Sequence, residues 1–297
     1  MKIILLLSLV TRCISIDRFP WYDTSLPLET RLDTLINEMT FQEKISQTLS
    51  SHLVLEDTER FLSKYGDIGF GVALPCPRVT GPPAMPSLST AKACVEWRNS
   101  LQRNITTSSR LRIPISFREE LLHSAGVPNS TIFPMPMNMG RSWNVSLVGT
   151  IFEHIGEEAR ASGVDLAFAP VLNLASNAMW GRGQECFGED PMHVTKFSNA
   201  ASKGLSNKSI VSQAKHFFAY GKISHDSLPI DLSEGTLHDV YLRPWKSWVE
   251  DFGGRSVMVR HIRARSQISI NTHPNIKHRR HIHPSMEFPW FAIANIS

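Results

Sequence analysis

The chain has 297 residues, 42% of them hydrophobic and 20% charged, enough apolar material to bury a core in one large domain or two ordinary ones, which excludes a disordered chain. The net charge of +4 is unevenly spread: residues 260–297 hold Arg260, Arg263, Arg265, Lys277, Arg279 and Arg280 against Glu287 alone, which leaves the body at about −1. The body therefore has no electrostatic bias toward nucleic acid, and no nucleic-acid partner is expected.

Met1 and Lys2 give a short positive start, residues 3–10 are apolar, and the stretch Cys13-Ile14-Ser15 ends on a small residue. This pattern reads as a secretory signal over residues 1–15, and so as a secreted, extracellular protein; the apolar run is too short to cross a bilayer. An uncleaved N-terminal core strand is the plainer alternative. No later segment is long and apolar enough to span a membrane. Entry to the secretory route would make Asn104, Asn129, Asn144 and Asn207, with Asn295 near the end, candidate N-glycosylation positions, since each opens an Asn-x-Ser/Thr triplet. Removal of the signal leaves Cys76, Cys94 and Cys186, so at most one disulfide forms within the chain.

Leu32, Leu35, Ile36 and Met39 recur at helical spacing, and Thr40 with Glu43 forms a capping-box pattern that opens a second helix. From there strand-like and helix-like segments alternate. The strands are expected at residues 68–74, 113–117, 166–169, 210–214 and 256–259, and the helices at 92–101, around Ile151 and Ile155, near Phe197 and through Val240. Such alternation implies an α/β fold on a parallel sheet, open or closed into a barrel. The pattern stops at Arg260, where a basic stretch with five histidines, His261, His273, His278, His281 and His283, loses all periodicity. That tail, residues 260–297, reads as the product of a shifted frame or a read-through; a polyanion-binding segment and a zinc site are the alternatives. Zinc needs fixed ligand geometry on a scaffold, and the tail provides none, so no metal is expected.

In a parallel barrel the residues that do chemistry lie at the carboxyl ends of the strands. Glu120 and His123 follow the 113–117 run, Arg182 follows the 166–169 run within a W-G-R segment, and Lys215 with His216 ends the 210–214 run. A carboxylate beside cationic and donor groups suits the gripping of sugar hydroxyls, although glycoside cleavage normally needs a second carboxylate. No serine elbow, phosphate-cradling glycine loop or paired C-x-x-C motif competes.

Six segments carry a more specific likeness: the stretch 26–47, R-I-P-I-S-F-R-E-E-L-L-H, T-I-F-P-M-P-M-N-M-G-R-S-W-N, G-V-D-L-A-F-A-P-V-L-N, W-G-R-G-Q-E-C-F-G-E-D-P and A-K-H-F-F-A-Y-G. In this order they resemble the N-terminal barrel of glycoside hydrolase family 3, which includes secreted β-glucosidases and β-xylosidases. The resemblance implies a TIM-like (β/α)8 barrel, here incomplete with about five strand-helix units over residues 16–259, and a second α/β sandwich domain that is missing. It also implies a substrate with a terminal β-linked glucose or xylose, and a retaining double displacement without a cofactor.

Carried over residue by residue, the family's acidic sugar-gripping position falls on Glu120, its arginine on Arg182 and its lysine-histidine pair on Lys215 and His216. All four are implied to bind the non-reducing sugar. His123, Glu185 and Glu189 read as supporting residues that orient the loops. Glu120, where many glucosidases have aspartate, leans toward xylose. The family's nucleophilic aspartate, in an S-D motif, and its acid/base glutamate find no match, so no catalytic residue is assigned and the chain by itself is expected to be inactive. A non-catalytic sugar-binding or vestigial protein is the rival reading. The segment S-N-A-M ahead of W-G-R departs from the family's usual acidic and arginine residues there. His225 and Asp226 resemble the acid/base pair of the N-acetylglucosaminidase branch, although the flanking motifs fit the glucosidase and xylosidase branch better. An open barrel with bare strand edges is also expected to be poorly soluble.

Overall fold

Six short strands lie in one parallel sheet in strict chain order, in a computed structural model that describes residues 19–48, 50–51, 72–73, 90–220 and 232–259. The signal segment, Cys76, His225, Asp226 and the basic tail lie outside the described residues. Among the described residues two α-helices precede the first strand, Leu28–Glu38 (α1) and Phe41–Thr48 (α2), as the apolar spacing and the capping-box pattern predicted. The capping box is present: the Thr40 backbone N–H donates to Glu43 Oε2 at 2.8 Å, and the Glu43 N–H donates to Thr40 Oγ1 at 3.2 Å.

The strands are Ser50–Ser51 (β1), Val72–Ala73 (β2), Ser116–Glu119 (β3), Leu166–Ala167 (β4), Val211–Phe217 (β5) and Ser256–Val259 (β6). Between them run the helices Ala91–Ser108 (α3), Pro136–Gly140 (α4), Val145–Ala161 (α5), Pro191–Asn207 (α6), a short turn Glu234–Thr236 (α7) continued by a π-helical turn at Leu237–Tyr241, and Arg243–Glu250 (α8). This is the mixed α/β architecture, with a parallel sheet, of an incomplete TIM-like barrel. The strand-helix alternation accounted for five strands, and six are present among the described residues. The additional β1 is two serines, which carry no apolar run for a sequence to display.

β3 starts three residues later than expected, at Ser116 rather than at residue 113. Pro114 explains the shift, because proline has no N–H to offer a strand neighbour. β4 is likewise shorter than its apolar run, ending before a cis Ala169-Pro170 peptide. Pairing is parallel throughout, with Arg118 opposite Leu166, Ala167 opposite Ser212 and Gln213 opposite Ser256. At the end of β5 the register slips: Lys215 pairs with Met258 and Phe217 with Val259, so His216 is the extra residue of a bulge.

The largest core cluster gathers residues of α5, α6 and the strand-end loops, among them Phe152, Ile155, Phe187, Phe197 and Leu205. α5 and α6 cross so closely that a Cβ on Gly204 would fall 2.4 Å from the Gly149 carbonyl oxygen; only glycine permits that approach. α6 opens with Asp190 capping the His193 N–H at 2.7 Å and Pro191 in the first turn, so the E-D-P motif is a helix start. Cys94 is disulfide-bonded while Cys186 is free and buried. The partner of Cys94 therefore lies outside the described residues, in keeping with a ceiling of one disulfide.

Candidate functional site

Glu119 ends β3 and Glu120 follows it, and the two-residue alternation of an extended chain sends adjacent side chains to opposite sides. Glu119 is fully buried and takes Arg98 Nη2 of α3 at 2.9 Å, while Arg98 Nη1 donates to the Ser162 carbonyl at 2.6 Å. Burial lowers the Arg98 guanidinium, and the Glu119 carboxylate works against that fall. Glu120 instead accepts from Lys215 Nζ at 2.5 Å. The lysine is only 1% exposed whereas the carboxylate keeps 39% of its surface, so the charged pair presents its acidic member to solvent.

Lys215 and His216 stand at the end of β5, where the bulge breaks the alternation that would otherwise part neighbouring side chains. The loop after β4 runs alongside: Lys215 N–H donates to the Pro170 carbonyl at 3.0 Å and Leu172 N–H to the Lys215 carbonyl at 2.8 Å. The next residue, Asn173, receives the His216 N–H at 2.9 Å and donates to the His216 carbonyl at 2.9 Å.

Arg182 is held by Glu185 through two parallel bonds of 2.7 Å, from Nε and from Nη2. Such a two-pronged pair fixes a guanidinium in orientation as well as in place. Burial weakens the charged form of Arg182, but the Glu185 carboxylate and the Tyr220 side chain outweigh it, and its affinity for the proton rises above the usual value. The Arg182 guanidinium lies 5.8 Å from the centre of the Tyr220 ring, and Tyr220 meets His216 edge-on at 5.4 Å and Trp180 at 5.0 Å. Tyr220 is thus the hub joining Arg182 to the Lys215-His216 pair.

The four sequence-selected binding residues therefore belong to one contact network: Glu120 to Lys215, Lys215 to His216 along the chain, and His216 through Tyr220 to Arg182. Glu185 orients Arg182. His123 is tied instead to the following loop, with Nδ1 3.0 Å from the Phe133 carbonyl oxygen and its own carbonyl accepting the Phe133 N–H. Glu189 is exposed on the turn before α6 and, among the described residues, takes no part in holding Arg182. Asn173 and Tyr220 were not singled out from sequence. Asn173 closes the quoted motif A-P-V-L-N and Tyr220 stands before the last glycine of F-F-A-Y-G, and a polar residue trailing an apolar run was the signal that would have found them. Among the described residues no three His, Cys, Asp or Glu side chains come together as a metal site. No described helix is long and apolar enough to cross a membrane.

Parallel strands with an acidic, cationic and aromatic cluster at their carboxyl ends define the class of protein: a barrel domain with its polar site at the mouth. The chain belongs to the family described as glycosyl hydrolase family 3, N-terminal domain, whose model matches residues 40–279. It is 29% identical over 167 residues to the periplasmic β-glucosidase of Salmonella typhimurium, covering 54% of this chain and 21% of that one. It is 34% identical over 180 residues to the β-xylosidase/α-L-arabinofuranosidase 2 of Medicago sativa subsp. varia, covering 50% and 23%. Among solved structures, a β-glucosidase from Erythrobacter marinus superposes with a TM-score of 0.72 at 26% identity, over 84% of this chain and 34% of that one. The chain spans between a fifth and a third of the length of curated relatives that it matches.

Proposed function

We propose that this chain is the sugar-gripping part of a secreted β-glycosidase acting on terminal non-reducing β-D-glucosyl or β-D-xylosyl residues by a retaining route. By itself it binds such a sugar without cleaving it. The observation that carries the reading is the paired and fixed state of the polar cluster: Lys215 on Glu120 at 2.5 Å and Arg182 on Glu185 at 2.7 Å. Groups already oriented cost little further entropy when a ligand arrives, and each retains capacity for a hydroxyl. An ammonium has three donors, a carboxylate accepts several bonds, and a guanidinium has five N–H groups.

The proposed division of labour gives Glu120 the role of acceptor for sugar hydroxyls, and Lys215 and Arg182 that of donors. His216 and the Tyr220 face close the site on the apolar side of a sugar ring. No described carboxylate lies in the network besides Glu120 and Glu185, and Glu185 is spent on Arg182, so a nucleophile for the double displacement is not assigned to this chain. Secretion accords with the exposed positions of Asn104, Asn129, Asn144 and Asn207, where glycans would meet solvent.

Thermal unfolding with and without methyl β-D-glucoside and methyl β-D-xyloside tests the binding. A rise in Tm with either sugar, abolished by Glu120→Gln, is expected; no rise at high sugar concentration overturns the reading. Aryl β-glycosides are expected to be left intact by the same preparation, and turnover that disappears with Glu120→Gln would contradict the inactive state.

A further inference from the structure

Asn104, Asn129, Asn144 and Asn207 are all exposed, but their side chains differ in what holds them. Asn144 caps α5: its Oδ1 accepts the Leu147 N–H at 3.0 Å and the hydroxyl of Ser146, the third residue of its own triplet, at 2.9 Å. A peptide N–H only donates, so the amide atom facing it is the oxygen, and the nitrogen Nδ2 is turned away from the helix. Among the described residues nothing bonds that nitrogen. Nδ2 is the atom that carries an N-linked glycan, whereas the cap needs only Oδ1, so a glycan here leaves the start of α5 intact. Asn207 is the opposite case: its Nδ2 donates to Glu153 Oε1 at 2.5 Å, where an attached sugar competes with the carboxylate. In the other two triplets the hydroxyl is engaged elsewhere, Thr106 on the Gln102 carbonyl at 2.8 Å and Thr131 on Glu158 Oε1 at 2.6 Å.

Trp143, directly before Asn144, is 79% exposed on a left-handed backbone with φ 53, a conformation that bulky residues rarely adopt. Its ring meets His193 edge-on at 4.7 Å, and Met192 beside that histidine and Leu147 one turn along α5 are exposed as well. We propose that Asn144 is an N-glycosylation site whose first sugar lies on the Trp143 indole, so that this apolar surface is covered by carbohydrate. The C–H face of a pyranose is apolar, and stacking it on the indole removes both surfaces from water. In the transfer, Nδ2 forms a bond to the anomeric carbon of a polyprenol-diphosphate-linked oligosaccharide. The bond from that carbon to phosphate oxygen breaks, its electrons leave with the lipid diphosphate, and the nitrogen gives up one proton. The proposal rests on the secretory route proposed above and not on any sugar bound at the strand ends. Cys94 is disulfide-bonded, which accords with passage through an oxidising compartment.

The test expresses two versions of the full chain in a eukaryotic host, one with its own residues 1–15 and one with these replaced by an established secretory signal. Mass spectrometry of the digested protein, after enzymatic release of glycans that leaves aspartate where a glycan stood, reads each triplet. Asn144 is expected to be occupied. Ser146→Ala, which removes the triplet and keeps the Oδ1 cap, should lose the mass of one glycan, whereas Ser146→Thr should not. An unmodified Asn144 in protein secreted under the established signal overturns the site, whatever the other triplets carry. Glycan at Asn144 with the established signal and none with the chain's own N-terminus sinks the secretion reading and leaves the site standing. Acrylamide quenching of the folded protein before and after glycan removal tests the cover. The part of the emission that is missing in Trp143→Phe is expected to be quenched more strongly once the glycan is gone, and equal quenching in the two states overturns the contact with Trp143.

Discussion

Glu119 and Glu120 are adjacent and chemically identical, and their places, the last residue of β3 and the first beyond it, give them opposite tasks. Glu119 is a buried counter-ion for Arg98, while Glu120 pairs with Lys215 at the site. The same logic divides the cysteines. Cys94 is bonded, whereas burial in apolar surroundings, with Glu185 adding to it, pushes the Cys186 thiol far above its ordinary value and Arg182 offsets only part of that rise. A thiol that stays protonated is a poor nucleophile. Iodoacetamide under native conditions at about pH 8 is expected to leave the Cys186 peptide unmodified, and denaturation to expose it, as mass spectrometry of the digested protein would show. Labelling of Cys186 in the folded protein at the rate of a free thiol would contradict the burial described.

At the scale of elements, α2 offers the cleanest test of a local signal. Burial would raise the Glu43 carboxyl, but bonds from Arg110 and from Thr40 prevail and hold it below its ordinary 4.5. Arg110 reaches across with Nε at 2.9 Å and Nη2 at 2.6 Å, so Glu43 caps its own helix and anchors the loop after α3. A depressed carboxyl contributes stability that is complete above the unfolded value and is lost as pH falls through the folded one, which places the loss below pH 4.5. Glu43→Gln is therefore expected to lower stability near neutrality by about 1 kcal/mol, the usual worth of a cap. It should also flatten the fall in Tm below that pH. Thermal melts across roughly pH 3 to 6 measure both effects, and an unchanged acid limb would rule out the linkage.

Across the molecule, the buried Arg98-Glu119 pair does more than neutralise two charges. It links α3 to β3, and through the Ser162 carbonyl to the end of α5, so that two consecutive strand-helix units share one hydrogen-bonded centre. Removing one partner strands a charge in the interior. Arg98→Met is expected to cost about 3 to 5 kcal/mol in urea unfolding, while Arg98→Met combined with Glu119→Leu recovers most of the loss, because no ion is then left without its counter-ion. A double variant as unstable as the single one would show that the pair holds the units together by something other than charge compensation.

The sequence by itself determined the α/β class, the order of all the elements but β1, and the family, and it singled out the four residues that the structure brings into one network. Each of these rests on a signal that survives in one dimension: apolar runs of strand length, helical spacing, the Thr40-Glu43 box and polar residues trailing strand ends. The tertiary structure alone decided what depends on contacts between distant positions. β1 has no apolar run, β3 yields its first residues to Pro114, and nothing local distinguishes Glu119 from Glu120 until their partners, Arg98 and Lys215, arrive from other elements. Asn173 and Tyr220 owe their importance to His216, which lies 43 positions beyond Asn173 and meets it only because β4 and β5 are neighbours in a parallel sheet. A chain states which groups it carries; the sheet decides which of them touch, because hydrogen bonds and ion pairs form across a few ångströms of space and not along the sequence.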